Sequence, residues 1–201
     1  MSVVEIETPH GLARAHVHAA ADARTALVLG HGAGGGVTAR DLVTTQDVAL
    51  SEHVAVALVE QPYRVAGRRS PAPAHQLDTA WIAVVEHLRA AELRDLPLFV
   101  GGRSSGARVA CRTVTATDAV GVICLAFPLH PPGKPESSRL PELDAVTVPV
   151  LVVQGVRDPF GMPPPGPLRT VVQVQSDHSL RGDLPALSDG VRTWLRERVD
   201  H

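Results

Sequence analysis

Lysine is almost missing from this chain: Lys134 stands alone against 18 arginines. Aromatic residues amount to 3%, so six rings must anchor whatever core exists. The two cysteines, Cys111 and Cys124, are too few for a disulfide framework. Both fall in apolar segments and are expected to be reduced core thiols. Neither sign of charge dominates: 19 basic side chains face 21 acidic ones, for a net charge of −2. With no long basic run, this excludes the electrostatic footprint of a nucleic-acid binder. No apolar run approaches the ~20 residues needed to span a bilayer, so no membrane association is expected. The opening Met1-Ser2-Val3-Val4-Glu5-Ile6-Glu7 lacks the basic and apolar regions of a signal peptide, and the expected location is cytoplasmic.

What remains is 201 residues, 44% of them hydrophobic, enough to bury one sizeable core. No repeat or linker interrupts the chain, and a single domain over residues 1–201 is expected. Apolar runs of strand length alternate with helical patterns, as in an α/β protein. Residues 2–7 and 13–18 read as an antiparallel hairpin around Pro9-His10-Gly11. Strands are expected at 25–29, 54–59, 98–102, 120–126, 149–154 and 170–174. Helices are expected at about 38–52, 76–93 and 104–117, with a terminal one opening near Asp183. In the second of these, Leu77, Trp81, Val84, Val85 and Leu88 share one face at helical spacing.

The chemistry concentrates where Leu98-Phe99-Val100 stops at Gly101-Gly102-Arg103-Ser104-Ser105-Gly106. Gly102 to Gly106 fits G-x-S-x-G, a serine on a sharp strand-to-helix turn. Such a turn strains the serine backbone and requires nearly side-chain-free neighbours two positions away on either side. It lifts Oγ above the sheet and puts the Ser105 N–H at a helix N-terminus, where it can stabilise an oxyanion. After it come a strand ending in Gly155-Val156-Arg157-Asp158 and another leading to Ser176-Asp177-His178. The order Ser104, Asp158, His178 suits a nucleophile, an orienting acid and a general base. Asp177, adjacent to His178, is poorly placed to reach its ring. Before the turn, Gly30-His31-Gly32-Ala33-Gly34-Gly35-Gly36 follows a strand and offers a second oxyanion donor, the Ala33 N–H. His31 reads as a hydrogen-bonding brace of that loop.

The segments Gly30 to Gly35, Gln61-Pro62-Tyr63-Arg64, Gly101 to Gly106, Phe127-Pro128-Leu129-His130-Pro131-Pro132 and Gly155 to Asp158 resemble small bacterial α/β-hydrolases of the dienelactone-hydrolase-like group. The resemblance runs from about Ala26 to the C-terminus. It implies an α/β-hydrolase fold, a mostly parallel twisted sheet with helices on both faces, while hydrolysis of an ester or related acyl substrate is expected from Ser104, Asp158, His178 and the two oxyanion donors themselves. Dienelactone hydrolases proper use a cysteine nucleophile where this chain has Ser104, so the resemblance does not carry that substrate over. Only residues 127–148 separate two late strands, too few for a packed cap domain. No cofactor or metal is implied.

Several features keep a second reading. Arg103 and Arg64, with Arg68 and Arg69, sit at strand carboxyl ends, where ligands bind in open α/β sheets. They either present guanidinium forks to an anionic acyl substrate or brace neighbouring loops through carbonyls. Gly161 to Pro167 either walls the site or serves as a rigid connector. His16 and His18 share a strand face but lack a third ligand nearby, which favours a solvated face over a metal site. Gly30-x-Gly32-x-x-Gly35 with Glu60 has the form of a dinucleotide fingerprint, but its acid lies farther on than the usual ~20 residues. The fold could also serve as a catalytically weak interaction module.

Overall fold

The computed structural model describes residues 1–199. The alternation seen in the sequence becomes an eight-stranded sheet in the order β1-β2-β4-β3-β5-β6-β7-β8. Its strands are β1 (Ser2–Thr8), β2 (Gly11–His18), β3 (Thr25–Gly30), β4 (Val54–Glu60), β5 (Leu98–Arg103), β6 (Gly121–Leu125), β7 (Val150–Gly155) and β8 (Arg169–Val174). β1 and β2 form the expected antiparallel hairpin, and β2 also runs antiparallel to β4. Every pairing from β4 to β8 is parallel. Parallel strands need covering on both faces. Alternate residues of the strands divide accordingly. Leu27 and Leu29 enter one core with Val56, Leu58 and Phe99, while Ala26 and Val28 enter the other with Ala57 and Val100.

Helices α1 (Arg40–Ser51) and α6 (Leu184–Val199) pack together on the first face. Helices α3 (Ala74–Ala90) and α4 (Ser105–Thr113) cover the second. The face of α3 is the one its spacing predicts: Leu77, Trp81, Val84, Val85 and Leu88 are all buried. Two short helices lie in segments that carry no helical periodicity. They are α2 (Pro62–Val65) and α5 (Leu140–Asp144), and each has a proline in its first turn, where a missing N–H costs nothing. No cap domain is present among the described residues. α5, five residues long, is the only helix inserted between β6 and β7.

With so few rings, individual aromatics carry much of the packing. Trp194 of α6 is 2% exposed and meets Phe99 of β5 edge-on, ring centres 5.2 Å apart. The Arg198 guanidinium lies 4.5 Å over the same indole. Cys111 and Cys124 are free and buried with sulfurs 3.5 Å apart. The hydrogen bond between them and burial hold the Cys124 thiol well above its ordinary range, so it sits in the core as a protonated group. Trp194→Ala should lower unfolding free energy by about 3–5 kcal/mol, the cost of an unfilled aromatic site. Urea denaturation reads this directly, and a loss under about 1 kcal/mol would show that Trp194 does not anchor the α6 face.

Candidate active site

β5 ends at Arg103, and the chain turns at Ser104 with φ 51° and ψ −107° before α4 begins. A non-glycine residue there is strained by an order of 1–3 kcal/mol. Two contacts hold it. The Ser104 N–H donates to the Leu125 carbonyl of β6 at 2.9 Å. On either side, a methyl at Gly106 would collide with the Gly30 carbonyl at the end of β3, and one at Gly102 would lie 2.5 Å from the same oxygen. Only glycine at both positions lets α4 start this close to β3.

The turn brings Ser104 Oγ to 3.0 Å from Nε2 of His178, which arrives on the loop after β8. The other ring nitrogen, Nδ1, lies 2.8 Å from Asp158 Oδ2, at the carboxyl end of β7. A carboxylate can only accept, so Nδ1 carries the ring proton and Nε2 faces the hydroxyl as an acceptor. The Asp158 side chain is fully buried. Its Oδ1 accepts from the Phe160 N–H at 2.8 Å, and its Oδ2 accepts a second bond from Gln154 Nε2 at 2.9 Å. Gln154 itself is completely buried and also donates to the Phe127 and Gly161 carbonyls. The Phe160 ring lies against the imidazole, centres 4.2 Å apart. Asp177 turns away, accepting from the Ser179 N–H and hydroxyl. Those bonds hold its carboxyl below the usual carboxylate range.

Arg103 adopts the bracing arrangement of its two sequence readings. Its Nε meets Asp41 Oδ2 at 2.8 Å, and its Nη2 donates to the His178 carbonyl at 3.0 Å. Asp41 opens α1 and is 1% exposed; burial pushes its carboxyl up, while Arg103 pulls it back. The pair ties the residue before Ser104, the His178 loop and α1 together. Arg64 is half-buried and has no carboxylate partner among the described residues; its charge acts on His31 and Tyr63. Arg68 lines two adjoining clefts of about 340 and 520 Å³, and Arg69 lines the larger. Tyr63 borders both, and its hydroxyl donates to the Ala33 carbonyl at 3.0 Å.

The glycine loop after β3 is fixed by His31, which is 3% exposed. Nδ1 donates to the Gly32 carbonyl at 2.8 Å, and Nε2 accepts the Gln61 N–H at 3.1 Å. Both bonds demand the neutral ring. Among the described residues, neither the Ala33 nor the Ser105 N–H donates to a protein acceptor. Glu60 spends its carboxylate on His16 at 3.0 Å and Arg14 at 3.7 Å, so no free acid completes a dinucleotide fingerprint. No group of three or more metal-ligating side chains occurs among the described residues.

A family profile described as an alpha/beta hydrolase domain matches residues 23–181. The chain belongs to the α/β-hydrolase domain family. Solved structures share the fold along nearly its whole length. A lidless serine hydrolase from Xanthomonas campestris matches at TM-score 0.79 and 19% identity, over 98% of this chain and 94% of that one. Est1E from Butyrivibrio proteoclasticus matches at 0.81 and 15%, over the whole of both chains. A dienelactone hydrolase from Anabaena variabilis matches at 0.78 and 14%, over 98% and 96%. Family and fold together make the chain an α/β-hydrolase with no cap domain among the described residues.

Four site features escaped sequence reasoning. Phe160 and Gln154 flank Asp158 within four residues but belong to no motif. Asp41 comes from a distant segment that no motif marked, and Tyr63, though quoted in Gln61-Pro62-Tyr63-Arg64, gave no sign of its bond to the Ala33 carbonyl. The neutral ring of His31 leads to a pH dependence. Burial, the largest influence, holds this imidazole below the ordinary value of 6.5, against the opposing pull of the Gly32 carbonyl. Above about pH 6.5 the ring is neutral folded or unfolded, and its contribution to stability is complete. As pH falls through that value, the unfolded chain takes the proton first and stability declines. Unfolding free energies at pH 7.5 and 5.5 should therefore drop more in the native protein than in His31→Gln. Equal drops would show that His31 does not act this way.

Proposed function

We propose that this α/β-hydrolase cleaves small acyl esters through a covalent acyl-enzyme. The observation that carries the reading is the unbroken series from Ser104 Oγ to His178 at 3.0 Å and on to Asp158 at 2.8 Å, set on a strained turn. Ser104 Oγ attacks the ester carbonyl carbon while its proton passes to His178 Nε2. Asp158, accepting from Nδ1, holds the ring in the needed tautomer and stabilises the imidazolium that forms. The Ala33 and Ser105 N–H groups receive the carbonyl oxygen as it becomes an oxyanion, the second with the help of the α4 N-terminus. Collapse breaks the ester C–O bond, and the departing alcohol takes the proton from His178. Water then attacks the acyl carbon, with His178 as base, releasing the acid and restoring Ser104.

The substrate reading follows the segment after β4, where Tyr63 reaches the Ala33 carbonyl of the glycine loop and Arg68 and Arg69 line open clefts. Est1E has been solved with ferulic acid bound, and a small acyl compound suits an open, capless site here. Arg64, with Arg68 and Arg69 nearby, favours an acyl or leaving group that carries a carboxylate. Arg103 serves as the brace of the His178 loop. An interaction-module role leaves the strain at Ser104 without a use.

Ser104→Ala should cut hydrolysis of p-nitrophenyl acetate by about three orders of magnitude or more while the fold stays intact. Full activity in that variant would end the assignment. On matched neutral and carboxylate-bearing esters, Arg64→Ala should raise KM for the charged member alone. Equal effects on both would make Arg64 structural.

A further inference from the structure

We propose that Phe160 is a positioning residue for the reaction, one that fixes the acid through its backbone and the base through its ring. The inference rests on Ser104, His178 and Asp158 acting as read above. Phe160 sits two residues beyond Asp158 in a tight turn. The Asp158 N–H bonds the Gly155 carbonyl at 3.1 Å, and the Gly161 N–H bonds the Asp158 carbonyl at 3.1 Å. From this turn the Phe160 N–H donates to Asp158 Oδ1 at 2.8 Å, which leaves Oδ2 aimed at His178 Nδ1. The Phe160 carbonyl accepts the His130 N–H at 3.0 Å, so the segment after β6 holds the turn in place.

The ring does what the backbone cannot. Its plane is inclined 33° to the imidazole, with centres 4.2 Å apart, a close, tilted ring contact. Hydrogen bonds at Nδ1 and Nε2, with the Cγ–Cβ bond, set the plane of the imidazole but leave the ring and its loop free to shift toward the side that Phe160 occupies. An aromatic face laid against it removes that freedom. When His178 takes the Ser104 proton, the same electron-rich face lies against a new cation and favours it. An aliphatic side chain of similar volume fills the space and supplies no such attraction. Aromatic character at position 160 is therefore what the reaction uses, and volume alone is not enough. The amide bond to Asp158 survives any substitution that keeps an N–H.

The test is the rate at which a fluorophosphonate probe modifies Ser104, with kcat and KM on p-nitrophenyl acetate measured beside it. The probe reports activation of the serine and needs no knowledge of the natural substrate. Phe160→Leu should slow both labelling and kcat by about two- to ten-fold, the size of one lost ring contact, with KM little changed. Phe160→Tyr and Phe160→Trp should restore most of the rate. Phe160→Met replaces the leucine variant should thermal melting show the latter to be unfolded. A leucine variant as fast as the native protein would overturn the proposal. So would a tyrosine variant slowed as much as leucine, or a change confined to KM. Failure of the underlying reading shows separately, as equal labelling of native protein and Ser104→Ala, and it removes this proposal too.

Discussion

The contact between the end of β3 and the start of α4 is the constraint on which the rest of this molecule depends. Gly30 pairs with Gly102 across β3 and β5, and the Gly30 carbonyl lies where a side chain on Gly106 would have to be. Because these backbones touch, α4 starts directly over the carboxyl ends of the central strands. Ser104 is then forced through positive φ between a strand that cannot move and a helix that cannot retreat. The strain is tolerated because two packed cores, one on each face of the sheet, over-determine the geometry. The glycine loop starts from the same junction, so Ser104 and the candidate oxyanion donors share one rigid origin.

Around that junction the fold gathers parts distant in sequence. The turn after β7 supplies Asp158, the loop after β8 supplies His178, and both lie beside Ser104 because β5, β6, β7 and β8 are consecutive neighbours. Arg103 adds a cross-link. It precedes the serine, holds the His178 carbonyl and is balanced by buried Asp41. Removing one member of such a pair leaves a buried charge without compensation, a cost of several kcal/mol. The arginine therefore adds order to the His178 loop at the expense of being free for substrate. The uncommitted cations belong instead to the segment after β4, where Arg64, Arg68 and Arg69 have no carboxylate partners among the described residues.

Much of this was legible in the sequence where a local rule acts on adjacent residues. The strained turn shows as G-x-S-x-G because sterics at two fixed offsets demand glycine. The buried strands show as β-branched runs, and α3 shows by its apolar face. The order Ser104, Asp158, His178 pointed to residues that lie in contact. Less legible were α2 and α5, too short for a periodic signal though each opens near a proline. Helix ends also shifted, α4 closing at Thr113 and not near Thr117. The brace role of Arg103 could not be separated from a ligand role, because its partner Asp41 is 62 positions away and only folding brings them together. Gln154 and Phe160 carried no signal, since their use lies in hydrogen-bond direction and ring contact, which residue type and spacing do not encode.

The central claim is that the strained serine is a working nucleophile. Mass spectrometry of the protein after reaction with a fluorophosphonate tests it most directly. One phosphonyl group should add per chain, and peptide mapping should place it on Ser104 and on no other serine, with heat-denatured protein unmodified. Folded protein that stays unlabelled, or carries the adduct elsewhere, would contradict the account.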